Sequence, residues 1–159
     1  MTKCAFALYL LLPGFCMLPA CQKDTDEDKV KKVIAAVQKA TEEKNLFAVQ
    51  EHISRSYRDP QGNDFNAIKA LFSFYFFRHR TLAVAIPSIE VAVNGPWATA
   101  DFIAVLSAKN KEGETSGIIL PDTLGTYRFA VSFQKEETTW KVVSAKWERV
   151  GDQGEATQQ

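Results

Sequence analysis

The chain has 159 residues, of which 46% are hydrophobic, and its 19 basic and 19 acidic side chains give a formal net charge of zero. This balance, without interleaved basic and aromatic residues, excludes the class of proteins that hold nucleic acids on a basic surface. The length corresponds to about one domain, long enough to bury a hydrophobic core of its own.

The first residues have the layout of a secretory signal peptide. Lys3 supplies a positive charge, residues 5–18 are apolar, and Leu18-Pro19-Ala20-Cys21 ends the run with a small residue before a cysteine. This tetrapeptide resembles the lipobox of bacterial lipoproteins, whose cysteine is acylated and becomes the mature N-terminus. An ordinary cleaved signal and an anchor helix are the alternatives, but a membrane-spanning helix needs about 20 apolar residues and this run contains Pro13-Gly14.

The lipobox resemblance implies a lipid anchor on Cys21. Because Gln22 rather than an aspartate follows it, the resemblance also implies delivery to the periplasmic face of the outer membrane. The other two cysteines lie in the signal peptide, so the mature domain contains no thiol. The chain then divides into a signal peptide (1–20), a lipidated cysteine with a polar tether (21–28), one domain (29–150) and a flexible tail (151–159).

Helical periodicity follows the tether. It begins at Asp26 behind acidic residues and ends at Lys44-Asn45, and residues 46–53 predict a second, shorter helix. Residues 53–58 then predict a brief edge strand. Asp59-Pro60-Gln61-Gly62 has the residues typical of a type I turn.

A third helix is predicted to start at a cap supplied by Asn63 or Asp64 and to run to about Phe77. Its apolar stripe is unusually aromatic. A stripe of this kind is typical of a core rather than of a cofactor site. The stripe consists of Phe65, Ile68, Leu71, Phe72, Tyr75 and Phe76.

After Arg80 the apolar residues alternate with a period of two, which predicts strands. The phase of the alternation switches at Pro87-Ser88, which indicates a bulge that bends a long strand. Three further strands are predicted over residues 97–108, 127–133 and 139–149, with a loop over residues 109–125. Helices followed by an antiparallel meander indicate an α+β domain.

This order of elements resembles the NTF2-like superfamily over about residues 30–150. The resemblance rests on the turn after the second helix, the aromatic third helix, the bulged strand, and the segments Tyr127-Arg128-Phe129, Trp140-Lys141-Val142-Val143 and Trp147-Glu148-Arg149. It implies a cone like that of ketosteroid isomerase and SnoaL. Three N-terminal helices would pack on a strongly bent antiparallel sheet of about four long strands plus a short edge strand, around an apolar cavity. A cystatin-like sheet with one helix is the alternative, but three helical segments fit it poorly.

The resemblance also implies a site. A small apolar ligand in the cone would contact Tyr57, Phe72, Tyr75, Phe76 and Tyr127. Dimers are common in this superfamily, so a homodimer through the outer face of the sheet is a further expected partner, besides the membrane at the lipid anchor.

Asp59 supports an enzymatic alternative. In ketosteroid isomerases an aspartate in a matching Asp-Pro-x-Gly turn abstracts a proton, and Asp59 occupies that place. The chemistry also needs donors for the enolate oxygen, yet the corresponding positions hold Val37 and Gly125-Thr126. The turn alone also explains Asp59, because its side chain can cap backbone amides. We therefore favour a binding or interaction module over an isomerase or dehydratase with Asp59 as general base.

The remaining motifs indicate no cofactor and no metal site. His52 and His79 are far apart in sequence and no cysteine joins them, and the chain has no glycine-rich phosphate loop. An apolar segment, Ile118-Ile119-Leu120-Pro121, interrupts the predicted loop. Such a segment covers a pocket or meets a partner, or it folds back on the sheet.

Overall fold

The computed structural model describes residues 24–110 and 122–150. The predicted signal peptide, Cys21, the segment 118–121 and the tail lie outside the described residues. Three helices precede five strands, so the fold is α+β as predicted. The elements are α1 (Asp26–Glu42), α2 (Leu46–Glu51), α3 (Phe65–Arg78), β1 (His79–Ala85), β2 (Ile89–Asn94), β3 (Trp97–Asn110), β4 (Asp122–Glu136) and β5 (Thr139–Arg149).

Each helix begins at a side-chain cap. Thr25 and Asp28 form a capping box at the start of α1, in which each side chain accepts the other's backbone N–H at 3.1 Å. Helix α1 therefore begins at Asp26, within the segment 21–28 that the sequence predicted as a tether. Asn45 caps α2, and Asp64, one of the two predicted caps, accepts the Ala67 N–H at 2.9 Å to start α3.

The antiparallel sheet has the order β1-β3-β4-β5, and β2 also pairs with β3. Ala85 lies opposite Val105 and Ile89 lies opposite Phe102, so residues 86–88 face only residues 103–104. This extra residue is a bulge at the predicted position, and it bends the sheet. The bend separates β1 from β2, which pair with the two halves of β3.

Two sequence predictions were wrong in detail. Residues 53–58 make isolated bridges from Ile53 to Val142 and from Arg58 to Asp64 instead of a strand. The Tyr57 N–H bonds back to the Ser54 carbonyl at 3.1 Å, and this local turn interrupts the extended path. The predicted loop over residues 109–125 ends earlier, because β4 begins at Asp122 and pairs with the end of β3.

Two buried clusters hold the helices on the concave side of the sheet. One joins α2 and α3 to β1 through residues such as Val49, Ile68 and Phe76, and the other joins α1 to the sheet around Val30 and Phe133. Both clusters and all eight described elements lie within residues 24–150, so a chain shortened to residues 24–159 contains every described helix, strand and core residue. Within the described ranges, no helix combines the length and apolarity needed to cross a membrane.

Candidate functional site

A cavity of about 400 Å³ lies between α1, α3 and the concave face of the sheet. Among the described residues, none of the side chains that line it carries a formal charge at neutral pH. The wall is apolar apart from a few hydroxyl, amide and indole groups. These groups belong to Gln38, Thr41, Tyr57, Tyr75, Ser107, Tyr127 and Trp147.

Both small and large side chains line the cavity. Ala104 lies on the concave side of β3 opposite Tyr127 of β4, and its short side chain leaves room above the sheet. The stripe of α3 that the sequence assigned to the core forms the facing wall from Ile68 to Phe76. Only Phe65 of that stripe lies away from the cavity, with the Arg55 guanidinium 4.2 Å above its ring centre.

The structure brings the five predicted pocket residues together. Tyr57, Phe72, Tyr75, Phe76 and Tyr127 all lie on the cavity wall. Sequence reasoning missed the wall formed by α1, although the helical spacing of its residues marks one face of that helix. It also missed the wall formed by β5. The missed residues are Ile34, Val37, Gln38 and Thr41 of α1 and Val142, Ala145 and Trp147 of β5.

Hydrogen bonds within the protein use several of the polar groups of this wall. Gln38 donates from Nε2 to the Val84 carbonyl at 2.7 Å, and Thr41 donates from Oγ1 to the Val37 carbonyl at 2.7 Å. The Tyr127 hydroxyl donates to the Leu124 carbonyl at 3.2 Å. These three donors therefore have protein acceptors before any ligand enters.

Tyr57 uses its hydroxyl in the same way, because it donates to Asp59 Oδ2 at 3.1 Å. Asp59 is buried and also accepts the backbone N–H of Asn63 at 2.8 Å and the Asn63 side-chain amide at 2.9 Å. The Gly62 N–H bonds to the Asp59 carbonyl at 3.0 Å, which confirms the predicted turn. The Asp59 carboxylate is not part of the cavity wall, whereas Tyr57 is.

This network sets the charge of both groups. Burial raises the pKa of the Asp59 carboxyl, but hydrogen bonds from Asn63, Tyr57 and Gln61 outweigh it and leave the pKa below its usual value. Burial and the neighbouring Asp59 charge raise the pKa of the Tyr57 phenol. Asp59 is therefore an ionised acceptor of local hydrogen bonds, and a carboxylate with a lowered pKa is a weak general base.

The two histidines lie at helix ends. His79 follows α3 and is buried, with its ring stacked on Tyr75 at 5.9 Å between centroids. His52 follows α2, and burial lowers the pKa of its imidazole, as does the charge of Lys141. In the part of the chain that the structure describes, no group of three His, Cys, Asp or Glu residues is placed to hold a metal ion.

No protein-family model matches the chain, and no curated protein matches it significantly. Solved structures do share its fold. An NTF2-like superfamily protein from Salmonella enterica serovar Typhimurium superposes with a TM-score of 0.69 at 12% identity, covering 84% of this chain and 96% of that one. A candidate dehydratase of the NTF2-like family from Streptomyces avermitilis superposes with a TM-score of 0.64 at 11% identity, covering 79% and 96%.

Bd1075 of Bdellovibrio bacteriovorus also shares the fold, with a TM-score of 0.64 at 8% identity. The match covers 78% of this chain but only 40% of Bd1075. At such identities the likeness concerns the fold alone. The domain therefore has the NTF2-like cone that the sequence predicted.

Proposed function

We propose that this NTF2-like domain binds a neutral, apolar small molecule in its cavity. One observation carries the proposal: the described residues place no charged side chain on the wall of the cavity of about 400 Å³. Its volume falls within the range of about 300–1,000 Å³ that is usual for ligand pockets. Side chains fill most protein interiors because cores are close-packed, so an unfilled space of this size supports a ligand site.

The wall also supports a choice of ligand chemistry. A carboxylate or ammonium group would lose its hydration and meet no opposite charge, which costs several kcal/mol. A ligand rich in hydrogen-bond acceptors would meet donors that Gln38, Thr41 and Tyr57 already use within the protein. The ligand that suits this cavity is a hydrocarbon-like molecule with few polar groups.

Two features of this geometry disfavour the enzymatic alternative. A general base must reach the proton that it removes, but Tyr57 lies between the Asp59 carboxylate and the cavity. Enolate stabilisation needs free donors, and the corresponding position on α1 is the aliphatic Val37. We therefore place Asp59 in a structural role.

The binding proposal is tested by filling the cavity of a chain that comprises residues 24–159. Titration with the apolar fluorophore N-phenylnaphthylamine should saturate for the unchanged chain. Ala104→Phe and Ala104→Leu add bulk inside the cavity and should weaken the binding of the probe at least tenfold. Ala130→Phe adds the same bulk to an exposed position on β4 and is the matched control.

Circular dichroism verifies that each variant is folded. Native mass spectrometry of the purified domain shows whether an apolar molecule has been retained. The proposal fails if both Ala104 variants fold and bind the fluorophore as tightly as the Ala130 control.

We further propose that Cys21 anchors the protein at the outer membrane, as the lipobox resemblance implies. In a Gram-negative host, mass spectrometry of the full chain should find an acylated N-terminal Cys21, and Cys21→Ser should release the protein from the membrane fraction. Recovery of a protein that still carries residues 1–20, or membrane association unchanged by the substitution, would contradict the anchor.

A homodimer through the outer face of the sheet is the second partner that we propose. Ile103 and Val105 of β3 are both partly exposed, which supports a protein contact there. Light scattering should show a dimer that Ile103→Lys dissociates. A protein that is monomeric at all concentrations measured would contradict the proposed homodimer.

A further inference from the structure

Helix α3 is apolar on two sides. One side faces the cavity, while Phe74 and Phe77 lie on the other side with 55% and 78% of their surface exposed. The only charged residues of the helix are Lys69 and Arg78. A helix that is apolar all round is normally buried, so the outer side of α3 has the character of a contact surface.

A third exposed aromatic residue lies at the same end of the domain. The Lys44 ammonium donates to the His79 carbonyl at 2.9 Å, which holds the turn between α1 and α2 against the C-terminal end of α3. Phe47 follows this turn and is 71% exposed. We call Phe47, Phe74 and Phe77, with Lys44, Arg78 and Lys109, the aromatic end.

Around the aromatic end, the described basic residues outnumber the acidic ones. The basic residues are Lys39, Lys44, Arg78, Arg80 and Lys109, and the acidic residues are Glu42, Glu43 and Asp122. Arg78 follows Phe77 directly, and Lys109 lies opposite Thr81, close to the start of β1. The hydrogen bonds of Lys44 go to backbone carbonyls, which leave its positive charge in place. The other end of α1 is acidic, with Asp26, Glu27 and Asp28 in its first turn. The described residues therefore give the domain a net positive charge where its exposed aromatic residues lie.

From this combination we infer that the aromatic end is a docking surface for an anionic lipid bilayer. Exposed Phe side chains beside Lys and Arg are the pattern by which peripheral proteins enter the interface of a membrane. A homodimer through the aromatic end is less favourable, because in a two-fold symmetric dimer the same surface of both copies forms the interface. Each of its cations would then face a surface that is itself rich in cations, and like charges across an interface are unfavourable.

The surface adjoins the cavity. Leu71 and Tyr75 line the cavity, are 38% and 37% exposed, and flank Phe74 on the same helix. If the cavity binds an apolar ligand as proposed, that ligand would meet the protein at a membrane, where apolar molecules accumulate. The docking itself requires no ligand and is independent of that function.

The test is sedimentation of the chain comprising residues 24–159 with vesicles. Phosphatidylcholine vesicles are compared with vesicles that also contain phosphatidylglycerol. We expect binding to the anionic vesicles, weakened more than tenfold, or by more than about 1.4 kcal/mol, in Phe74→Ser/Phe77→Ser. The matched control is Trp97→Ser, which removes an exposed aromatic residue from the opposite end of β3.

A second pair of variants tests the charge. Arg78→Gln/Lys109→Gln should weaken binding to the anionic vesicles by about fivefold for each charge removed. Lys31→Gln/Lys146→Gln removes two exposed cations from other surfaces and should leave binding unchanged.

Two outcomes would overturn the inference. One is vesicle binding that is absent, or that is equal in the Phe74/Phe77 variant and its control. The other is a dimer in light scattering that the Phe74/Phe77 variant dissociates, because the surface would then contact a second copy. The N-phenylnaphthylamine titration, made on the same samples, reports the cavity separately and shows whether the proposed ligand binding holds.

Discussion

The variant Asp59→Asn tests whether Asp59 stabilises the fold or acts as a general base. The carboxylate accepts hydrogen bonds from the Asn63 backbone, the Asn63 side chain and the Tyr57 hydroxyl. Hydrogen bonds to a charged group contribute about 1.5–3 kcal/mol each. An asparagine keeps one carbonyl oxygen for these donors, and its own amide N–H₂ would face either Tyr57 or the Asn63 amide. We therefore expect a loss of about 2–3 kcal/mol in the free energy of unfolding at pH 7, or about 8–12 °C in melting temperature.

The pH dependence of this loss follows from the pKa. The folded-state pKa of Asp59 is lowered, below an unfolded value of about 3.9. Its ionised form therefore contributes stability at pH values above about 4, and this contribution disappears as the pH falls through the folded pKa. The cost of Asp59→Asn should be constant between about pH 5 and 7 and should shrink in more acidic solution.

Urea denaturation at several pH values measures this loss. Asp101→Asn, at an exposed position of β3, is the control and should change stability by less than about 0.5 kcal/mol. The reasoning is refuted if Asp59→Asn is as stable as this control. A stable Asp59→Asn variant that lost the ability to isomerise a model enone would instead support Asp59 as a general base.

Three further variants probe the frame around the cavity. Phe133→Ala truncates a side chain that is 1% exposed and should cost about 3–5 kcal/mol in urea denaturation; a cost under about 1 kcal/mol would mean that the site is not part of a packed core. Asp64→Ala removes the cap of α3 and should cost about 0.5–2 kcal/mol, while Asp64→Asn keeps the acceptor and serves as its control. Tyr57→Phe should flatten the pH dependence of stability above about pH 10. The folded state holds the Tyr57 proton more tightly than the unfolded state, so the unchanged protein loses stability as the unfolded phenol ionises; equal curves for both proteins would contradict this.

Local signals were sufficient for most of the fold. The bounds of β5, Thr139–Arg149, are those predicted, since a turn at residues 137–138 precedes the strand. The bulge was readable because Pro87-Ser88 shifts the phase of the alternation by one residue. Each of these features depends on residues that are neighbours in sequence.

The features that the sequence did not predict depend on contacts through space. The 53–58 segment has the composition of a strand, but its hydrogen bonds to Val142 and Val143 of β5 alternate with an internal turn. The spacing of the apolar residues in α3 indicates an apolar face. The same spacing does not show whether that face packs against other side chains or lines a cavity. The cavity depends on small side chains such as that of Ala104, which lines it and is far from α3 in sequence.

The way in which this cavity uses its polar groups determines how selective it can be. A site built to hydrogen-bond its ligand rejects analogues that lack the bonding group, because buried donors are then left unpaired. Here Gln38, Thr41 and Tyr57 already have protein acceptors, so an apolar ligand leaves these donors satisfied. Discrimination then rests on shape and on desolvation, and in an apolar pocket one methylene is worth only about 1–3 kcal/mol. The domain should therefore accept a series of neutral molecules of similar size, with affinities that rise with apolar area, and should reject members of the series that carry a charge.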